Sequence, residues 1–76
     1  MIEADQILAG LGGAANIVDV QACVTRVRCE VRDPAEVDEA ALTAAGAVSV
    51  ITTDNAVHVV VGAQSAALVD DIEDLM

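Results

Sequence analysis

The chain has 76 residues, of which 13 are acidic and three are basic, with no aromatic residue and a formal net charge of −10. A chain of this length buries only about 60% of its unfolded surface, so it forms one small domain (residues 1–76) without a deep cleft. Binding to nucleic acid or to an anionic membrane surface requires clustered lysine and arginine. The acidic balance therefore excludes a general polyanion binder.

The apolar content of 55% exceeds that of disordered chains, so the chain should fold despite its charge. Its longest uncharged stretch, residues 55–69, is too short and too polar to span a bilayer. The first five residues include two acidic residues, Glu3 and Asp5, and no basic one, where a secretory signal would be basic. We therefore expect a cytoplasmic protein without membrane insertion, whose two cysteines are reduced rather than joined in a disulfide.

A first helix is predicted from Glu3 to Leu11, where apolar residues recur at helical spacing. Gly10, Gly12 and Gly13 then interrupt the pattern, as C-capping glycines do. A glycine-rich phosphate cradle is the alternative interpretation, but such a cradle opens a helix after a strand. Here the glycines close a helix, so we interpret them as caps.

Two strands of opposite parity follow the first helix. In residues 17–24 the even-numbered apolar positions alternate with polar ones, which predicts buried even positions and places Cys23 on the solvent face. In residues 27–32 the odd-numbered positions are apolar, and Cys29 is among them. A change of parity requires a bulge or a tight turn. The chain is therefore predicted to turn near residues 24–26, directly beside Cys23.

A second helix is predicted to begin at Asp38 as its N-cap and to end at Gly46. A capping box of Asp33 and Glu36 is the rival start, because Asp33-Pro34 ends the second strand. Both alternatives place the helix between the second and third strands. The choice between them stays open at the level of sequence.

The last third of the chain predicts two more strands and a final helix. Residues 48–51 and 57–61 are strand-like and are separated by the turn signal at residues 53–55. Ser65 is predicted to cap the final helix, whose apolar face runs to Met76. The resulting order predicts an α+β fold, a split α/β sandwich in which three helices pack on one face of a four-stranded antiparallel sheet.

All three positive charges, Arg26, Arg28 and Arg32, lie within nine residues of Cys23. The planar guanidinium fork matches phosphate and carboxylate groups, so this cluster indicates an anion site. The alternative is that the arginines only pair with neighbouring carboxylates on a solvated sheet face. For Arg32, which is farthest from the cysteine, we favour that alternative.

Cys23 is a candidate nucleophile, because a cysteine at an exposed strand end beside an arginine gains thiolate character. Cys29 falls among buried valines and is predicted to be a core residue. A phosphatase loop of the form C-x5-R is absent, since Cys29 occupies the arginine position. A zinc site lacks clustered ligands, and a redox pair would require C-x-x-C spacing. Covalent transfer of an anion remains, and we expect no metal or other cofactor.

His58 is the single histidine of the chain and lies within a run of valines. Its parity is opposite to that of Val57, Val59 and Val61, so it points either to water or to another buried layer. A lone histidine needs a positioned partner to act as an acid or base. The sequence assigns it no chemical role.

The residues around Cys23 form a pattern that resembles a known family. Asn16-Ile17 is followed after five residues by the segment Cys23-Val24-Thr25-Arg26-Val27-Arg28, with Val31 and Asp33 at strand spacing. This resembles the B domain of enzyme II (EIIB) of the sugar phosphotransferase system, in its glucose and N-acetylglucosamine branch. The likeness extends over nearly the whole chain and includes Gly12-Gly13, Gly46-Ala47, Gly62 and Ser65.

The resemblance implies a cytoplasmic phosphocarrier. Cys23 would accept a phosphoryl group from a phosphohistidine of the A component (EIIA) and pass it to glucose or N-acetylglucosamine bound by the membrane component (EIIC). Arg26 and Arg28 would hold the phosphoryl oxygens, and Thr25 and the turn amides, including that of Val24, would add hydrogen bonds. The protein would associate with the inner membrane peripherally, through EIIC. Such chemistry requires mainly positioning and charge neutralisation.

Three positions depart from the family pattern. Gln21 stands where glucose-type members commonly have Asp, Cys29 where they have an aliphatic residue, and His58 where they have Gln. Loss of a carboxylate near the thiol removes like-charge repulsion and should ease thiolate formation. Two alternatives to phosphoryl transfer stay open, namely a regulatory or partner-binding module of the same fold and a simple anion-binding domain.

Overall fold

A four-stranded antiparallel sheet forms one layer of the protein, in a computed structural model that describes residues 2–76. The strands are β1 (Ile17–Cys23), β2 (Arg26–Val31), β3 (Ser49–Thr53) and β4 (Ala56–Val60). Their order across the sheet is β1-β2-β4-β3, so β1 and β3 are the edges. The helices are α1 (Ala4–Gly10), α2 (Glu39–Ala44) and α3 (Ser65–Leu75). The predicted α+β order of elements is confirmed.

The three helices cover one face of the sheet. Helix α3 packs on β1 and β2, α2 contacts β3, and α1 packs against both other helices. The interior is built from aliphatic side chains, and the largest fully buried ones are Ile7, Leu11, Leu42, Ile72, Val27, Val31, Val57 and Val59. Within residues 2–76 no helix covers the second face of the sheet, and we call it the outer face.

The predicted parity of the first strand fails at the start of β1. Of its even-numbered residues only Val20 is buried, whereas Val18 is 47% exposed. The pairing with β2 shifts register between Ile17 and Asp19, which makes Val18 an extra residue. This bulge turns Ile17 toward the core and Val18 away from it. In β2 the odd-numbered positions are buried as predicted.

The glycines after α1 act as predicted, with one difference. Gly12 and Gly13 have positive φ angles of 103° and 88°, and the amide of Gly13 donates to the carbonyl of Leu8 at 2.9 Å. This is the left-handed C-cap that glycine favours. Gly10 instead ends the helix and packs on α2, where a Cβ atom would lie 2.8 Å from Leu42 Cδ2.

Both candidate caps near the second helix are used. Asp38 Oδ1 accepts from the amide of Ala41 at 3.0 Å and caps α2. Asp33 Oδ1 accepts from the amide of Ala35 at 3.0 Å and caps a short 3-10 helix, Pro34–Glu36. The two predictions were therefore not exclusive, because a separate helical turn precedes α2.

The prediction that Ser65 caps α3 is wrong. The N-cap of this helix is Gln64, which makes no side-chain capping hydrogen bond. Ser65 is the first residue of α3, and its hydroxyl bonds outside its own helix, to the turn between β1 and β2. Leu75 and Met76 are also exposed rather than buried, because the apolar face of α3 leaves the core after Ile72.

Asn16 joins α1 to the end of β2. Its side-chain amide donates to the carbonyls of Leu11 at 2.7 Å and Asp33 at 3.1 Å, and its Oδ1 accepts from the amide of Asp33 at 2.9 Å. The residue is buried. It lies before β1, at the opposite end of that strand from Cys23, so its role is architectural. No helix within residues 2–76 is long and apolar enough to cross a membrane.

Candidate functional site

The outer face of the sheet carries Cys23 together with two of the three arginines. Cys23 lies directly opposite Arg26 in the β1–β2 ladder, and Gln21 lies opposite Arg28. Directly paired residues of an antiparallel sheet project from the same face. Because Val27 between the two arginines is buried, this shared face is the one without helices. The register of one hairpin thus brings a thiol and two guanidinium groups to a single surface.

A two-residue turn, Val24-Thr25, links β1 to β2 beside the thiol. Val24 has a φ angle of 46° and is 90% exposed. The left-handed region is unfavourable for L-residues and especially for β-branched ones. The packing of the Val24 side chain cannot offset this cost, since that side chain points into solvent. The backbone conformation of the turn is therefore strained. The position of the turn, directly after Cys23, is the predicted one.

The segment that leads into α3 donates hydrogen bonds to the carbonyls of the turn. The hydroxyl of Ser65 donates to the carbonyl of Val24 at 2.8 Å. The amides of Val61 and Gly62 both donate to the carbonyl of Thr25 at 2.9 Å. In a planar trans peptide the carbonyl and the following N–H point in opposite directions. The amide of Thr25 therefore points away from the Ser65 side, toward the open side of the turn.

The two cysteines have opposite environments. Cys23 is half-buried, whereas Cys29 is fully buried and faces the helices opposite Val20. Burial raises the pKa of the Cys29 thiol from 9.0 to about 12, with a smaller contribution from the negative charge of Asp19. The prediction of Cys29 as a core residue is confirmed. Because the two thiols lie on opposite faces of the sheet, they cannot form a redox pair in this fold.

The three arginines divide into two groups. Arg26 is exposed and Arg28 half-buried, both on the outer face. Arg32 lies beyond the end of β2, where its Nε donates to the carbonyl of Ala15 at 3.0 Å. Arg32 was expected to pair with a carboxylate, whereas its described side-chain hydrogen bond is to a backbone carbonyl. Arg26 and Arg28 remain as the cations beside Cys23.

His58 lies directly opposite Arg28 on the outer face, in the neighbouring strand β4. His58 therefore points to the solvent side of the sheet and not toward a second buried layer. Its Nδ1 atom is buried and has no hydrogen-bond partner among the described residues. Within residues 2–76 no group of three or more metal-binding side chains is present. The histidine is therefore a direct neighbour of Arg28 on the outer face.

Charge is unevenly distributed along the outer face. The thiol and the two arginines lie toward the turn, while Asp19 and Glu30 are directly opposite each other toward the far end of the same hairpin. Like charges in such a pair repel. An approaching anion is attracted to the turn end of this face and repelled from its other end. The arrangement suits a small anion bound at Cys23.

The fold and the outer face define a small α+β domain with an accessible thiol and two arginines at an anchored turn. The chain belongs to the EIIB family of the phosphotransferase system. The family described as "phosphotransferase system, EIIB" matches residues 5–38. Over 74 residues the chain is 49% identical to the PTS system N-acetylglucosamine-specific EIIB component of Streptomyces coelicolor, an alignment covering 97% of this chain and 96% of that protein.

Longer relatives contain a similar segment. The chain is 40% identical over 70 residues to the PTS system glucosamine-specific EIICBA component of Bacillus subtilis, and 37% identical over 71 residues to the glucose-specific EIICBA component of Staphylococcus carnosus. It spans only 11% and 10% of their lengths. A crystal structure of one domain of the PTS system IIabc component from Clostridium difficile has the same fold, with a TM-score of 0.82, 20% identity and coverage of 95% of this chain and 77% of that one.

Two features of the site could not be found from the sequence. The bond from Ser65 to the turn spans 41 positions, and a serine at the start of a helix ordinarily indicates an N-cap. The proximity of His58 to Arg28 depends on β4 pairing with β2, a strand order that periodicity does not specify. The parity of His58 was the one available signal, since it placed the residue on the face opposite the buried valines.

Proposed function

We propose that this protein is the phosphocarrier of a sugar phosphotransferase system and that Cys23 is its phosphoryl acceptor. The observation that carries the proposal is the position of Cys23, half-buried on the outer face and directly opposite Arg26. Membership of the EIIB family supports it independently. A thiolate between guanidinium groups can receive a phosphoryl group without a metal ion, because the cations neutralise charge on the equatorial oxygens.

The first transfer is a displacement at phosphorus. The Cys23 thiolate supplies the electron pair of a new S–P bond, while the N–P bond of a phosphohistidine on EIIA breaks and its electron pair returns to the imidazole nitrogen. The product is phosphocysteine. The two arginines and the outward amide of Thr25 supply hydrogen bonds to the phosphoryl oxygens, with Arg26 and Arg28 also offsetting their negative charge.

The second transfer regenerates the thiolate. A hydroxyl oxygen of the sugar held by EIIC forms the new O–P bond, the S–P bond breaks, and its electron pair returns to Cys23 Sγ. The hydroxyl proton passes to a base on the sugar-binding side or to water. The outer-face carboxylates Asp19 and Glu30 lie toward the end of the hairpin away from Cys23, so we assign to EIIC the groups that bind and activate the sugar.

The sugar is proposed from the most extensive match. The relative aligned over nearly its whole length is named as N-acetylglucosamine-specific, and we assign N-acetylglucosamine as the first sugar to test and glucose as the second. The EIICBA relatives carry the corresponding components in one longer protein, which supports EIIA and EIIC as the partners here. The proposed location is the cytoplasmic side of the inner membrane, held there through EIIC.

Intact-mass analysis after incubation with phosphorylated EIIA tests the transfer. The wild-type protein should gain the mass of one phosphoryl group, and peptide mapping should locate it at Cys23. Cys23→Ala should gain nothing, and the matched control Cys29→Ala should be phosphorylated like the wild type. Binding of EIIA without any mass gain would instead support a regulatory module and overturn the proposal. Membranes containing EIIC then decide which sugar is phosphorylated.

A further inference from the structure

We infer that Ser65 is a positioning residue for phosphoryl transfer at Cys23, acting through the backbone of the β1–β2 turn. The inference rests on the proposed function and extends it to a residue in a distant part of the chain. Its basis is the hydrogen bond of 2.8 Å from Ser65 Oγ to the carbonyl of Val24, the residue that directly follows Cys23. Ser65 itself does not reach the reacting atoms.

The hydroxyl of Ser65 is committed to the turn. Ser65 is 3% exposed, and a buried hydroxyl must find a partner within the protein. Ser65 is the first residue of α3. Its hydroxyl nevertheless donates outside this helix, to the carbonyl of Val24, which lies 41 positions earlier in the chain. This part-buried hydrogen bond satisfies the donor of the Ser65 hydroxyl.

The turn depends on such a bond because its conformation is otherwise unfavourable. Val24 is β-branched and has a φ angle of 46°, a region that valine strongly avoids. Its side chain is exposed and supplies no packing. The turn must therefore be restrained by hydrogen bonds to its backbone carbonyls. Two of the restraining donors are the amides of Val61 and Gly62, which bind the next carbonyl, that of Thr25. Ser65 is the side-chain donor that restrains the Val24–Thr25 peptide.

Loss of the hydroxyl frees this peptide to rotate. The carbonyl of Val24 and the amide of Thr25 belong to one rigid plane, so a rotation that takes the carbonyl from Ser65 also turns the Thr25 amide from the open side of the turn. A donor that is correctly oriented before the transfer lowers the barrier more than one that must reorient. Removal of the Ser65 hydroxyl should therefore slow the transfer and leave the strand register intact.

Ser65→Ala tests this inference, with Val69→Ala as the matched control. Val69 is buried on the same helix but lies a turn further along, away from Val24, so its truncation weakens the fold without removing the bond. At equal folded fraction, Ser65→Ala should accept phosphoryl from phosphorylated EIIA about 10- to 100-fold more slowly than wild type. Val69→Ala should stay within about threefold of wild type.

Two further variants keep the test decisive if Ser65→Ala does not fold. Ser65→Thr and Ser65→Val have nearly the same shape and differ in the hydroxyl, so the Thr variant should transfer faster than the Val variant. In the NMR spectrum the Thr25 amide of the wild type should shift on phosphorylation, and this shift should shrink in Ser65→Ala. Wild-type rates in Ser65→Ala, or equal rates in the Thr and Val variants, would overturn the inference. Failure of the wild type to be phosphorylated would instead overturn the proposed function.

Discussion

Cys23 and Arg26 are the last directly opposed pair of the β1–β2 ladder, with only Val24 and Thr25 between them in the chain. The thiol and the nearest guanidinium group are therefore placed by strand pairing rather than by a flexible loop. Two-residue hairpins have few allowed conformations. The register thus orients both side chains before any phosphoryl donor arrives, which reduces the reorganisation that transfer requires.

The role of the arginines can be tested with charge-matched variants. Arg26→Gln and Arg28→Gln should each reduce the rate of phosphoryl transfer about 100-fold or more, because each removes a cation that neutralises the transferring group. Arg32→Gln removes the same charge from a residue bonded to the carbonyl of Ala15, and should leave the rate within about threefold. The measurement is the rate of phosphorylation by EIIA. Equal losses in all three variants would indicate a general charge effect instead of a local one.

Alkylation should distinguish the two thiols. At about pH 8, iodoacetamide should modify Cys23 and leave Cys29 unmodified, because the buried Cys29 thiol has its pKa raised to about 12 and cannot be reached by the reagent. In denaturant both should react. Peptide mass mapping locates the adducts. Reaction of Cys29 in the native protein at the rate of Cys23 would contradict the buried position of its side chain.

Stability should decline in alkali through Cys29. The folded pKa of about 12 exceeds the unfolded value of 9.0, so the unfolded state loses its proton first as pH rises. The contribution is fully present below about pH 9 and is lost between about pH 9 and 12, at roughly 1.4 kcal/mol per pH unit.

The composition of the chain allows the alkaline slope to be assigned to Cys29. The chain has no tyrosine and no lysine, so few other groups titrate in that range. Denaturant unfolding at several alkaline pH values gives the slope for the wild type and for Cys29→Val, which has no ionisable group at this position. The variant should lose most of the slope, even if its absolute stability differs. The same slope in both proteins would assign the alkaline loss to another group.

Asn16→Ala should weaken the fold without changing the chemistry. The substitution leaves the carbonyls of Leu11 and Asp33 and the amide of Asp33 without their side-chain partner, and should lower the free energy of unfolding by about 2–4 kcal/mol. Denaturant titration measures this loss. At equal folded fraction the phosphorylation rate should match that of wild type, because β1 separates Asn16 from Cys23 by about 20 Å. A specific loss of rate would show that Asn16 also acts on the turn.

Much of the site follows from local pattern. The opposite parities of the segments containing Cys23 and Cys29 predicted the turn, one thiol on the solvent face and one buried thiol, because a strand alternates its faces at every residue. The same rule misassigned Val18, since one extra residue in β1 reverses the alternation before it. A bulge is set by pairing with the neighbouring strand, and periodicity within a single strand does not reveal it.

The class of fold, the accessible cysteine and its two arginine neighbours can be read from the amino-acid order alone, since each depends on residues within one hairpin or on repeating apolar positions. The attachment of Ser65 to Val24 and the placement of His58 beside Arg28 emerge only when the chain is folded. Both join segments that are dozens of positions apart, and the choice of such partners depends on how the whole sheet and its helices pack together.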